Sequence, residues 1–115
     1  MVIDDDPAAA KLLEIALTRG GHQVEVARDV SSGKLAAQSH RPDLLILEVF
    51  MPDGSGLDLL RHLRGDLDWM TPALVLTGHR QEDFLARAQA AGASGYFTKP
   101  INIQELLAEV ERLTG

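Results

Sequence analysis

The chain has 115 residues, enough for one domain with an ordinary layered core and no need of covalent staples. It is 45% apolar and contains no cysteine, which excludes global disorder, a disulfide scaffold and thiolate chemistry. The formal charge of −6, with eleven basic residues scattered rather than aligned in a stripe, argues against direct nucleic-acid binding.

The chain opens with Met1-Val2-Ile3, an apolar strand fragment without the basic and apolar regions of a signal peptide. No later run approaches the ~18 apolar residues of a membrane span, so the expected setting is the cytoplasm, with no membrane partner. Three adjacent carboxylates follow, Asp4-Asp5-Asp6. They repel one another, so they are either well solvated at a turn or gathered around something cationic. Asp6-Pro7 reads as a helix N-cap and first helical residue. Ala10, Leu13, Ala16 and Leu17 then form a helical stripe, widened by Leu12 and Ile15 and stopped at Gly20-Gly21.

Residues 23–27 (QVEVA) alternate as a short strand, and Ser31 or Ser32 can cap a helix carrying Leu35 and Ala36 that ends before Pro42. Residues 44–47 are continuously apolar, the mark of a strand buried on both faces of a parallel sheet. The strand runs into Glu48, followed by a loop over residues 52–56 and a helix with Leu57, Leu60 and Leu63 on one face. A fourth strand spans 73–77, a helix 81–91, a fifth strand 95–98, and a last helix carries Ile103, Leu106, Leu107, Val110 and Leu113. Trp69 is expected to cover the loop before the fourth strand.

Strand and helix thus alternate five times with short connections. This predicts an α/β fold with a parallel sheet covered on both faces and right-handed crossovers. In such sheets the ligand crevice lies beyond the carboxyl ends of the strands. Asp4 to Asp6, Glu48, Thr77 and Lys99 follow strands one, three, four and five, so residues far apart in sequence are expected to meet at one edge.

The segments VIDDDP, MPDGSGL, LTG and GYFTKP, in this order and spacing, resemble the receiver domain of a two-component response regulator over essentially the whole chain. The resemblance implies a flavodoxin-like, doubly wound five-stranded sheet of strand order 2-1-3-4-5. It implies Mg²⁺ as cofactor, with Asp4, Asp5, Glu48 and the backbone carbonyl of Phe50 as the metal site and Asp5 the direct ligand. Thr77 corresponds to the hydroxyl that contacts the phosphoryl group, Lys99 to the cation that pairs with it, Tyr96 to the aromatic switch and Pro100 to a cis proline. Expected partners are a histidine kinase or phosphotransfer protein, an effector domain or a second receiver, with a homodimer as one arrangement. They would engage the face formed by the fourth helix (residues 81–91), fifth strand and fifth helix. The family usually carries several apolar residues before the acidic pair, so the first strand is expected to be truncated.

Glu48 departs from the family's aspartate at the phosphoacceptor position. The extra methylene moves the carboxylate by about 1.5 Å, and a shift of that order costs ~100-fold in positioned catalysis. Three readings stay open: a built-in substitute for phosphate reaching Lys99 or Thr77, a loop-end carboxylate that only neutralises Lys99, and a phosphorylatable Glu48 served by Mg²⁺ and small donors or a kinase. The first makes the chain a phosphorylation-deficient or phosphomimetic interaction module and not an enzyme. Asp53 could be raised as a substitute acceptor, but it sits in a Pro-Asp-Gly turn where Asp bonds local backbone. Thr77 could simply end a strand, Tyr96 could be ordinary packing, and His79 borders the expected site. A nucleotide- or flavin-binding domain is the weaker rival, because the loop after strand one is acidic rather than Gly-rich.

Overall fold

Residues 45–48 and 73–77 are buried at every position, and these two runs form the middle of the molecule. The computed structural model describes residues 1–78 and 84–115. In chain order the elements are β1 (Val2–Ile3), α1 (Pro7–Arg19), β2 (Val26–Ala27), α2 (Val30–His40), β3 (Leu45–Glu48), β4 (Phe50–Met51), β5 (Gly54–Ser55), α3 (Gly56–Gly65), β6 (Ala73–Thr77), α4 (Phe84–Ala90), β7 (Gly95–Thr98) and α5 (Ile103–Thr114). Strands β2-β1-β3-β6-β7 form one parallel sheet in that order, while β4 and β5 pair as a separate antiparallel hairpin. Leaving the hairpin aside, this is the expected order 2-1-3-4-5 of a doubly wound α/β fold.

The continuous apolar strands divide their side chains between two layers, as a period of two requires. Leu45, Leu47, Ala73 and Val75 face α2, α3 and α4, packing with Ala37, Leu57, Leu60, Leu63, Phe84 and Ala88. Val2, Ile46, Leu74 and Leu76 face α1 and α5, packing with Leu13, Leu17, Leu106 and Val110. No helix among the described residues is long and apolar enough to cross a membrane.

Several boundaries differ from the sequence reading. Leu12 and Ile15 do not widen the buried stripe of α1; they are 47% and 41% exposed, because Ala10, Leu13 and Leu17 already fill its contact with the sheet. β2 covers Val26–Ala27 rather than 23–27, since β1 offers it two partners, Val2 and Ile3. Helix α2 is capped by Asp29, whose side chain accepts from the Ser32 N–H at 2.7 Å, so neither Ser31 nor Ser32 is the cap. Leu35 faces solvent on that helix. The expected loop at 52–56 contains a hairpin, and Glu48 belongs to β3 itself. Asp6 does cap α1, accepting from Ala8 N–H. Trp69 packs partly buried against the core, with the Arg41 guanidinium 5.8 Å from its ring centroid. His79 and the expected helix start at Gln81 lie outside the described residues.

β1 is two residues long, and Met1 extends its bonding. The Met1 ammonium donates to the Leu44 carbonyl at 2.8 Å, and the Met1 carbonyl accepts from Ile46 N–H at 2.8 Å.

One close approach sets the site's floor. The N–H of Gly56 donates to the Val49 carbonyl at 2.8 Å, and a Cβ on Gly56 would stand 2.1 Å from the Glu48 carbonyl oxygen. Both clashing atoms are backbone, so no rotamer relieves them. Gly65 at the other end of α3 has open space around it. Gly56→Ala is therefore expected to destabilise the domain by about 1–3 kcal/mol or more, while Gly65→Ala stabilises by up to ~1 kcal/mol. Urea midpoints of the two variants measure the contrast, and equal midpoints would contradict the packing described.

Candidate functional site

The carboxyl ends of β1, β3, β6 and β7 share one edge of the sheet, and the side chains that follow them meet there. Asp4 leaves β1 with its N–H bonded to the Ala27 carbonyl at 3.0 Å, which turns its side chain into the protein. It is fully buried, and its Oδ1 accepts from the Asp6 N–H at 3.0 Å. Lys99 leaves β7 with its N–H bonded to the Thr77 carbonyl at 2.8 Å, which fixes the start of its side chain. The Lys99–Pro100 peptide is cis.

Lys99 Nζ is the focus of the acids. It lies 2.8 Å from Asp4 Oδ2, 3.4 Å from Glu48 Oε1 and 3.9 Å from Asp6 Oδ2. The Asp4 contact is a close ion pair, and among the described residues Oδ2 has no regular hydrogen bond. Glu48, at the end of β3, is also buried. Its Oε2 turns back to accept from the Val49 N–H at 2.8 Å, an N–H shared with the Leu76 carbonyl at 3.0 Å. The extra methylene thus lets one carboxylate serve its own loop and the lysine together.

Burial pushes the Glu48 carboxyl above its ordinary value; Lys99 and the Val49 N–H work against that rise and Asp4 adds to it. For Lys99, burial pulls downward, but Asp4 together with the Glu48 and Asp6 charges outweighs it and the ammonium is held more firmly than usual. Both directions follow from charges removed from water and paired at short range.

The remaining expected residues take distinct places. Asp5 is exposed on the loop after β1. Thr77 is fully buried at the end of β6, in register with Thr98. Tyr96 sits in β7 opposite Val75, partly buried against the core. Phe50 is 45% exposed, with its ring edge-on to Phe84 at 5.4 Å and 87°. Asp6, expected at this edge and as the cap of α1, does both: it caps the helix and approaches Lys99. The sequence reading missed one participant. The Val49 N–H is backbone and carries no signal in the residue type.

The donor set, carboxylates plus one carbonyl, is all oxygen and suits a hard divalent cation. Asp4 Oδ2, buried and lacking a regular hydrogen bond, is the kind of atom such an ion would satisfy. Among the described residues, however, no three acidic or imidazole groups are gathered as a metal-holding cluster; Asp4 and Glu48 turn to Lys99 and Asp5 is left exposed.

Comparison with known proteins bears on the family and the fold. The model of the response regulator receiver domain matches residues 1–111. The transcriptional regulatory protein KdpE of Mycobacterium tuberculosis is 40% identical over 111 residues, covering 96% of this chain and 48% of the relative. The virulence transcriptional regulatory protein PhoP of Shigella flexneri is 33% identical over 113 residues, covering 98% and 50%. The chain therefore spans about half the length of the curated relatives it matches. Among solved structures, a response regulator from Chloroflexus aurantiacus superposes with a TM-score of 0.91 at 30% identity, covering 98% of this chain and 93% of the other. The chemotaxis protein CheY4 of Vibrio cholerae gives 0.89 at 29% identity, covering 97% and 94%. The chain belongs to the response regulator receiver domain family of two-component signalling.

Proposed function

We propose that Glu48 occupies the phosphoacceptor position of this receiver and holds Lys99 in place of a phosphoryl group. The domain then works as a phosphorylation-deficient interaction module rather than as an enzyme. The observation that carries this reading is the double commitment of the Glu48 carboxylate, Oε1 toward Lys99 and Oε2 to the Val49 N–H. An acceptor must present a free lone pair in line with the donor phosphorus. Contacts on both oxygens fix the orientation of this buried carboxylate, so it is not free to turn toward a donor.

The half-length match to transcriptional regulators supports an effector domain as partner, alongside a histidine kinase, a phosphotransfer protein or a second receiver. The α4-β7-α5 face is the surface proposed for them, and a homodimer through it is one arrangement. For Mg²⁺, Asp4, Asp5, Glu48 and the Phe50 carbonyl would be the holding residues. The ion would supply a hard positive charge beside the carboxylates. Lys99 is already paired with two of those carboxylates, so the affinity is expected to be weak.

Intact mass after incubation with acetyl phosphate and Mg²⁺ tests the acceptor. The parent chain should show no phosphoryl adduct and Glu48→Asp should gain one; an adduct on the parent that disappears in Glu48→Gln would overturn the reading. Calorimetric titration should give weak Mg²⁺ binding that falls in Asp5→Asn, and unchanged binding would remove Asp5 from the site.

The pH dependence of stability reports the ionisation of Glu48. Its carboxyl is raised in the folded state, so its contribution favours folding below the ordinary carboxyl value and is lost as pH climbs through the raised one. As pH rises from the ordinary carboxyl value of about 4, the parent should lose stability relative to Glu48→Gln. Urea midpoints measured over that rise check this, and parallel curves would show that Glu48 ionises as it does in the unfolded chain.

A further inference from the structure

Asp53 lies in the turn of the hairpin that follows Glu48, and its carboxylate reaches beyond that turn to α2. Oδ1 accepts from the Val30 N–H at 2.8 Å, and Oδ2 accepts from the Ser31 N–H at 3.0 Å and the Ser31 hydroxyl at 2.9 Å. These are the opening amides of α2, which have no partners inside the helix. The helix's own cap, Asp29, takes the next one, accepting from the Ser32 N–H and hydroxyl. Two carboxylates therefore divide the first turn between them, one from the helix's own chain and one from the loop beyond β3. An anion at a helix N-terminus gains from the dipole as well as from charge-assisted hydrogen bonds. The Val30 and Ser31 amides accordingly hold the Asp53 carboxyl below its ordinary value.

Neighbouring contacts show what this tie restrains. A Cβ on Gly54 would meet Val30 Cγ2 at 3.6 Å, so the hairpin turn lies against the start of α2. At the other end of the hairpin the Phe50 ring stands edge-on to Phe84, the first residue of α4. The Val49 carbonyl is bonded to Gly56 N–H beneath. The chain leaving Glu48 is thus strung between α2 and α4, and Asp53 is its polar anchor.

We propose that Asp53 is a positioning residue: by capping α2 from outside the helix it anchors the 50–55 hairpin and so sets the path of the backbone that carries Glu48 and Val49. This holds whether or not Glu48 accepts a phosphoryl group. The test compares Asp53→Ala with Asp29→Ala in the full chain at neutral pH, by amide hydrogen exchange and by the NMR shifts of the Val49 amide and the Glu48 carboxyl carbon. Asp53→Ala should speed exchange at Val30 and Ser31 by about tenfold and displace the Val49 and Glu48 resonances. Asp29→Ala weakens the same helix end without touching the hairpin, so it should speed exchange at Ser32 and leave Val49 and Glu48 at their parent shifts. Asp53→Asn keeps one neutral acceptor and should move the same resonances in the same direction by less. If Asp53→Ala disturbs only α2, or Asp29→Ala displaces Glu48 as far, the carboxylate is a helix cap and nothing more.

Discussion

Asp4 is fully buried, and a carboxylate so far from water must be met by a cation or surrender its charge. Lys99 meets it at 2.8 Å, and the rest of the site is arranged around that contact. The parallel sheet makes the meeting possible, since β1, β3 and β7 all end at the same edge although their residues are far apart in the chain. A buried ion pair is no large source of stability, because desolvation offsets much of the attraction. Its effect is geometric. It holds the ends of three strands in one relative position, and any group placed at the end of β3 must come to terms with the ammonium already there.

Glu48 does so with one oxygen while its other oxygen serves the Val49 amide. The length of the side chain matters here: it supplies the reach for both contacts at once. Exposed pairs elsewhere, such as Lys11 with Glu14 or Arg61 with Asp58, are screened by water and worth only ~0–1 kcal/mol. The Lys99 ammonium, 18% exposed and facing buried carboxylates, is much less screened, which is why it and not a surface pair organises the site. The two directions of pKa displacement express the same competition: burial opposes the charge on each partner, and for Lys99 the surrounding acids prevail.

Much of the fold was legible in the residues. The strands at 73–77 and 95–98 and the buried Leu57, Leu60 and Leu63 of α3 follow from period and punctuation alone. Asp6 as a cap followed from an acid placed before proline. The errors fall where several residues could do the same local task. Ser31 and Ser32 were both chemically able to cap α2, but Asp29 takes that place and Asp53 takes the amides next to it. Leu12 and Ile15 belong to the stripe by spacing yet face outward, because the sheet offers α1 a narrower contact than its apolar face could fill. The hairpin at 50–55 was hidden in a loop whose turn residues resemble those of any connection.

The sequence by itself determined the alternation of strand and helix, the two-sided burial of the central strands, and the presence of acids and a lysine at the strand ends. These depend on periodicity and turn chemistry, which act over a few residues. Only the tertiary structure decided the pairings: that Lys99 serves Asp4 and Glu48 together, that Asp5 is left exposed, that Glu48 folds onto Val49, and that Asp53 reaches past its own turn to α2. Each of these is settled by ångström-scale distances and by the burial of competing groups. Neither exists until the sheet has brought distant segments of the chain to one edge.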